Sequence, residues 1–291
     1  VEQSSADIWA NACPAMREAL AEAGVDPARV TAIGVDATCS LVVVGAGGAP
    51  ISVAEDGDPN RDIIMWMDHR AGAEARAINA TGDPALAYVG GEVSIEMELP
   101  KLLWLKRRFP ERWAQAVRFH DLADHMVWRM TGADVASVCT LGCKWNWLAH
   151  EQRFPKAMLD AVGLGDLVER VPAEVKQLGS LAGRLSPAAA ADLGLPAGIA
   201  VATGIIDAHA GGLALVGSAP EGTLALIGGT SNCHMVASRD AVMVPGVWGP
   251  YYGAMIPGMW LNEGGQSAAG SLIDWTIRRS AGHAALAERA K

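Results

Sequence analysis

The residues best placed to do chemistry lie between positions 203 and 231. Asp207 ends an apolar run, residues 199–206, and small residues that favour a helix follow it. Proteins of the α/β class often place an active site where a buried strand ends and a helix begins. A carboxylate at the edge of such a dry environment would have a raised pKa and would accept a proton from a hydroxyl. Asp207 is therefore a candidate catalytic base, and the alternative is a plain helix cap.

A second device follows about twenty residues later, at Gly228-Gly229-Thr230-Ser231. The run closes a predicted strand as a tight turn. Such a turn bares backbone N–H groups and adds two hydroxyls, which suits phosphate oxygens. A Gly-Gly pair is also common in ordinary hairpins, which is the alternative. Together with Asp207, the turn predicts a base for a hydroxyl and a cradle for a phosphoryl group.

Asp68 and Arg70 place an acid and a base two residues apart where a short apolar strand runs into a predicted helix. A carboxylate and a guanidinium can hold neighbouring hydroxyls of a polyol, so the pair is a candidate sugar clamp. The alternative is a helix cap with a surface salt bridge.

The other polar positions have structural interpretations when each is considered from its residue type and neighbours alone. Lys144 lies among tryptophans, where a lysine usually extends its charged end to solvent. Glu263 precedes a predicted helix, where an acid complements the helix dipole. Cys39, His209 and His234 are interpreted as structural. Asp36-Ala37-Thr38 is similar to the Asp-x-Gly-Thr phosphate turn of actin-like ATPases, but it has Ala in place of Gly and is discounted as a phosphate site.

The composition limits the class of protein. Of the 291 residues, 51% are hydrophobic, which allows a sizeable core. The net charge of −9, with no basic cluster beyond residues 106–108, argues against a nucleic-acid partner. The five cysteines lack the spacing of a disulfide framework, and Cys139 and Cys143 lack the partner pair of a zinc site. Reduced thiols are the simplest interpretation, so we expect a cytoplasmic protein. No apolar run approaches ~18 residues, so we expect no membrane span and no membrane partner.

Helical and strand patterns alternate along the chain, which predicts an α/β fold. Helices are predicted over residues 4–23, 67–78, 83–87, 100–109, 110–117, 123–130, 155–162, 187–193, 208–215 and 266–277. Strands are predicted over residues 30–35, 41–44, 63–66, 199–206, 222–227 and 233–237, the last two as a hairpin. Residues 138–147 are predicted to be a loop, residues 168–183 irregular or extended, and residues 247–259 a Gly- and Pro-rich segment.

Four motifs taken together resemble the FGGY carbohydrate kinases, and within them the ribulokinase-like branch. The motifs are WMDHR at residues 66–70, GIIDAHA at 204–210, GTSNCH at 229–234 and EGGQSAAG at 263–270. The resemblance covers nearly the whole chain. It implies an actin-like ATPase fold, with two domains of the ribonuclease H type and a cleft between them.

The resemblance also implies roles for individual residues. The family phosphorylates a terminal sugar hydroxyl with ATP and Mg²⁺, and Asp207 matches the catalytic base. The transferring phosphate would lie at the turn formed by Gly229, Thr230 and Ser231. Mg²⁺ would lie near Asp207, and the resemblance assigns no side chain to it as a ligand. Lys144, Glu263 and the turn around Cys39 match positions of the ribulose pocket. Asp68 and Arg70 match the sugar segment.

The substrate and the extent of the chain are further expectations. L-Ribulose kinases of the family have basic or His residues in place of Asp68 and Arg70, which favours D-ribulose here. Ribitol, xylulose or L-ribulose kinases, and a non-catalytic sugar-binding module, are the alternatives. The family's opening Asp-x-Gly-Thr strand and its adenine site are missing, so the chain resembles a fragment. It would hold an incomplete sugar-binding domain, residues 1–217, and the start of a nucleotide-binding domain, residues 218–291, with a homodimer as one possible assembly.

Overall fold

Helices and strands alternate along most of the chain in the computed structural model, which describes residues 1–280 and 282–289. The strands are β1 (Glu2–Gln3), β2 (Ala32–Ile33), β3 (Asp36–Ala37), β4 (Leu41–Gly45), β5 (Ile63–Ile64), β6 (Ala116–Asp121), β7 (Val135–Ser137), β8 (Glu174–Lys176), β9 (Leu181–Arg184), β10 (Ala200–Ala202), β11 (Ile205–Ile206), β12 (Leu224–Gly228), β13 (Asn232–Ser238), β14 (Trp248–Tyr252) and β15 (Trp260–Gln266). The helices are α1 (Ser5–Glu22), α2 (Gly72–Asn79), α3 (Glu98–Arg108), α4 (Pro110–Gln115), α5 (Leu122–Thr131), α6 (Val138–Lys144), α7 (Lys156–Val162), α8 (Pro187–Leu193), α9 (Asp207–Val216), α10 (Gly270–Arg279) and α11 (His283–Arg289).

Strand β4 lies between two hydrophobic clusters. It pairs antiparallel with β5 and β6 in a sheet of order β1-β5-β4-β6. Leu41 and Val43 pack into one cluster, whereas Val42 and Val44 pack into the other. A strand buried on both faces needs an unbroken apolar sequence rather than an alternating one, which explains the run Leu-Val-Val-Val.

Two distant segments lie side by side as interrupted parallel strands. β2 pairs with β10, and β3 pairs with β11, both in parallel. Because parallel strands end at the same edge of a sheet, this pairing brings the residue after β3, Thr38, next to the residue after β11, Asp207. The predicted strand at residues 199–206 is thus formed in two pieces, β10 and β11.

The C-terminal part forms an antiparallel sheet of order β12-β13-β15-β14. The predicted hairpin is confirmed, since Leu226 pairs with His234 and Gly228 with Asn232. β14 also contacts the earlier part of the chain, where Gly249 forms a parallel bridge with Val89, and just before β14 the Gly246 N–H donates to the Gly90 carbonyl at 2.8 Å. This contact places the hairpin sheet against residues from the first half of the chain.

Several local predictions are wrong, for identifiable reasons. Residues 138–144 of the predicted loop form α6, which Ser137 caps by accepting the Thr140 N–H at 3.1 Å, and only residues 145–147 lie outside a helix or strand. The predicted helix at residues 110–117 ends at Gln115, and the β-branched and aromatic residues after it form β6. β14 and β15 lie in a stretch whose glycines and prolines hid the strand pattern. Within the described residues, no helix combines the length and apolar character needed to cross a membrane.

Candidate active site

One cavity of about 590 Å³ gathers most of the predicted site residues. Those that line it are Cys39, Lys144, Asp207, Gly229, Ser231 and Glu263. Thr230, Asp68 and Arg70 do not line it. The cavity is bounded by the ends of β3 and β11 on one side and by the hairpin sheet on the other, so two distant parts of the chain build it together.

Asp207 is the first residue of α9 and lies at the end of β11. One carboxylate oxygen accepts the backbone N–H of Ala208 at 2.7 Å. The side chain is exposed, whereas Ile206 before it is buried. The apolar run therefore packs beneath Asp207 rather than around it, and the dry environment expected from the sequence is not found.

The turn between β12 and β13 lines the cavity through Gly228, Gly229 and Ser231, and the Gly229 N–H donates within the turn to the Ser231 carbonyl at 2.8 Å. No atom lies within 4 Å of the position a Cβ would take on Gly228, and on Gly229 only the Ser231 carbonyl approaches, at 3.9 Å. The Thr230 carbonyl is used elsewhere, because it accepts the N–H of Ala269 at 2.9 Å from the chain entering α10. The start of α10 thus fixes the turn from behind, and Thr230 is held away from the cavity.

Lys144 and Glu263 form the charged part of the buried wall. Both side chains are almost inaccessible, at 6% and 2% exposed. Burial alone would lower the pKa of Lys144, but the Glu263 carboxylate and the neighbouring thiol and phenol groups together outweigh it, and the pKa lies well above its ordinary value. Burial alone would raise the pKa of Glu263, but Lys144, together with His209 and a hydrogen bond from Cys233, holds it below its ordinary value. The wall therefore carries one positive and one negative charge, each stabilised by the other.

Two further side chains complete this wall. The Lys144 ammonium lies 4.4 Å from the centroid of the Trp248 ring, a cation–π contact. Burial raises the pKa of the Cys39 thiol to about 12, so Cys39 offers a neutral S–H group. The sequence interpretation of Lys144 as a solvent-directed lysine is not what the structure shows.

The structure places Asp68 and Arg70 outside the cavity and bonds them to each other. Arg70 donates to the Asp68 carboxylate from Nε and Nη2, each at 2.8 Å, and from its backbone N–H at 2.9 Å. Burial alone would raise the pKa of Asp68, but these hydrogen bonds hold it well below its usual range. The expectation of a direct sugar clamp is corrected, because the same segment reaches the cavity through Trp66 and His69 instead.

Sequence reasoning missed a polar contact across the cavity mouth. Glu96 accepts a hydrogen bond from the Ser267 hydroxyl at 2.9 Å and contacts His69 Nε2 at the same distance. All three residues line the cavity. Ser267 lies in the EGGQSAAG motif of residues 263–270, but nothing around Glu96 in the sequence indicates this contact. Thr38, which was discounted as a phosphate residue, also lines the cavity.

Comparison with known proteins assigns the class. Residues 1–214 match the FGGY family of carbohydrate kinases, N-terminal domain, and residues 224–291 match the C-terminal domain of the same family. The chain therefore belongs to the FGGY family of carbohydrate kinases.

Individual relatives agree with this assignment. An FGGY carbohydrate kinase domain-containing protein of Homo sapiens is 46% identical over 99% of this chain and 54% of its own length. A D-ribulokinase of Saccharomyces cerevisiae is 38% identical over 95% of this chain and 44% of its own length. The chain spans about half the length of the curated relatives it matches.

A solved structure supports the fold. The xylulose kinase from Rhodospirillum rubrum superposes with a TM-score of 0.82 at 24% identity, over 99% of this chain and 57% of that one. The expected actin-like ATPase fold of the FGGY sugar kinases is thereby confirmed.

Proposed function

We propose that this chain holds the sugar site and the phosphoryl-transfer site of a kinase that uses ATP to phosphorylate the terminal hydroxyl of D-ribulose. The observation that carries the proposal is the shared cavity, since Asp207 and Gly229 line the space that Lys144 and Glu263 also line. We propose this activity for the full-length protein, in its longest natural form, that contains this chain. The proposed domains are residues 1–217 for the sugar and residues 218–291 for the start of the nucleotide-binding part, a division that the two family matches support.

The buried wall supplies the chemistry that a polyol needs. Sugar hydroxyls both donate and accept hydrogen bonds, and the wall offers a donor in Lys144 and an acceptor in Glu263. Hydrogen bonds to buried charged groups discriminate strongly, because a ligand without the matching hydroxyl leaves a charge unpaired. A cavity of about 590 Å³ is ample for a five-carbon sugar with a phosphoryl group beside it.

The exposed side of the cavity supplies the transfer step. Asp207 takes the proton of the terminal hydroxyl, and the hydroxyl oxygen forms a bond to the γ-phosphorus of ATP. The bond from that phosphorus to its bridging oxygen breaks, and ADP leaves with the electron pair. The step therefore depends on Asp207 being oriented by α9 and on the two substrates being held in line.

The residues present suit a nucleotide phosphate with its magnesium ion. The open space beside Gly228 and Gly229 would accommodate phosphate oxygens, and the Ser231 hydroxyl would donate a hydrogen bond to them. Mg²⁺ usually binds through one or two carboxylates together with the phosphates, and Asp207 is an exposed carboxylate on this side of the cavity. When bound, the ion would neutralise charge on the transferring phosphoryl group.

The choice of D-ribulose has two supports. A D-ribulokinase is among the relatives, at 38% identity, and the residues Asp68 and Arg70 differ from those expected of L-ribulose kinases. Because the pair lies outside the cavity, we propose that it acts by positioning Trp66 and His69. D-Xylulose, ribitol and L-ribulose are the competing substrates.

A panel of three ketopentoses and one sugar alcohol tests the substrate preference. Binding of D-ribulose, ribitol, D-xylulose and L-ribulose is measured by calorimetry with and without Mg-ATP, and ADP release is measured for each in the longest natural form. We expect D-ribulose to bind most tightly and to give the highest kcat/KM. Preference for another of these compounds would mean that it, and not D-ribulose, is the substrate. Tight binding without ADP release would favour the non-catalytic sugar-binding module.

A further inference from the structure

Behind the sugar wall, two helices bring together three side chains that ligate soft metal ions. Cys139 and Cys143 lie one turn apart on α6 and therefore share a face of that helix. His209 lies on α9, which packs against them. The two thiol sulfurs and an imidazole nitrogen all lie within 4.8 Å of one another, and all three residues are buried.

The spacing is close to that of a tetrahedral zinc site. With Zn–S bonds of about 2.3 Å and Zn–N bonds of about 2.0–2.1 Å, neighbouring sulfur and nitrogen ligands are about 3.6 Å apart. Cys143 Sγ and His209 Nε2 are 3.4 Å apart. Glu263 Oε2 lies 3.5 Å from the same His209 nitrogen, and this buried oxygen has no hydrogen-bond partner. It is a suitable oxygen donor beside the three.

We propose that Cys139, Cys143 and His209 form a binding site for a thiophilic divalent cation of the Zn²⁺ class, with Glu263 beside it as the fourth donor. Two thiolates and an imidazole select such an ion over Mg²⁺ or Ca²⁺, which prefer oxygen ligands.

The charge balance of the occupied site is favourable. Binding releases the two thiol protons to solvent, so the metal ion and the Lys144 ammonium face two thiolates and the Glu263 carboxylate. These charges sum to zero, as a buried site requires. Because protons are released, the affinity for metal rises with pH. Glu263 also lines the cavity, so the proposed site adjoins it at this residue.

The test is a titration of metal-free protein, in its longest natural form, with Co²⁺. We expect one equivalent to bind, with the near-ultraviolet charge-transfer absorption of cobalt–thiolate bonds, and Zn²⁺ to displace it. Cys143→Ser and His209→Asn should weaken binding at least tenfold. Cys13→Ser removes another buried thiol, from the other hydrophobic cluster, and should leave binding unchanged.

A second measurement does not depend on the variants folding. X-ray absorption of the zinc-loaded, unaltered protein should show two sulfur ligands at about 2.3 Å and lighter ligands at about 2.0–2.2 Å. Absence of the thiolate band at stoichiometric Co²⁺, an equal band in Cys143→Ser, or zinc bound only through nitrogen and oxygen would each overturn the proposal. None of these readouts depends on kinase activity, so they leave the proposed function untouched.

Discussion

The two sides of the cavity are built in opposite ways. The side with Lys144 and Glu263 is buried, and its charges are held by each other and by an aromatic ring. The side with Asp207 and Gly229 is exposed, and its shape comes from a helix start and a hairpin turn. A buried wall can discriminate between ligands because unpaired groups there are costly, whereas an open side lets a second substrate enter.

This difference separates recognition from transfer. A buried charged side chain contributes to the folding energy as well as to binding, so a change in it affects both. An exposed carboxylate or a turn glycine contributes little to stability, so a change there should affect the reaction alone. Variants on each side therefore test whether the two functions are divided as we propose.

The largest effect is expected at Asp207. Asp207→Asn removes the proton acceptor but keeps the size of the side chain, so kcat should fall by about 10²–10⁴-fold in the longest natural form. Polyol affinity, measured by calorimetry, should change by less than about twofold. If the variant keeps its turnover, Asp207 is not the catalytic base. If the variant loses polyol binding, recognition and transfer are not divided between the two sides of the cavity.

A large effect on binding is expected from the buried pair. Lys144→Met leaves Glu263 as an uncompensated buried charge, which should weaken polyol binding at least tenfold and lower the free energy of unfolding by about 3–5 kcal/mol. Glu263→Gln, which removes the charge but not the acceptor, should be milder in both measurements. The double variant should lose less than the sum of the single ones, because the two charges depend on each other. Strict additivity would contradict the coupling.

A smaller effect is expected at the turn. A Cβ added in Gly229→Ala would meet no close atom and would project towards the cavity, so folding should be unchanged while kcat falls about tenfold. Gly264→Ala is the matched control, because that glycine also has no atom within 4 Å of the added Cβ but does not line the cavity. Equal kcat for both variants would argue against a phosphate at the turn.

The sequence predicted the elements that carry their own local signal. The apolar run of β4 and the hairpin around Gly229 follow from hydrophobic pattern and turn residues, and both are present. The family fold could be predicted because four motifs, spread from residue 66 to residue 270, occur in the right order.

What the sequence did not predict depends on contacts between distant residues. Six of the seven residues before Asp207 are apolar or Gly, yet only the three-dimensional packing decides that Asp207 stays exposed. Asp68 and Arg70 bond to each other rather than to a ligand, a choice that spacing alone does not reveal. The third ligand beside Cys139 and Cys143 comes from a helix more than sixty residues away, so their spacing suggested no metal site.

The most specific effect concerns a buried carboxyl group on α3. Glu98 and Lys101 are fully buried on α3, with Lys101 Nζ 3.2 Å from the Glu98 carboxylate. Burial raises the pKa of Glu98 to about 7, since desolvation outweighs the attraction of Lys101. Between pH 4.5 and about 7, the unfolded chain releases this proton and the folded chain keeps it. The contribution of Glu98 to the free energy of unfolding should therefore be complete below that window and fall by up to about 3 kcal/mol across it.

Glu98→Gln isolates this contribution, because the amide does not titrate. Denaturant unfolding of both proteins at several pH values between 4 and 8 gives the difference in stability, from which the other carboxylates cancel. We expect wild type to lose stability relative to Glu98→Gln as the pH rises. The opposite sign would mean that Glu98 is ionised beside Lys101 in the folded chain, so that the two side chains form a charged pair.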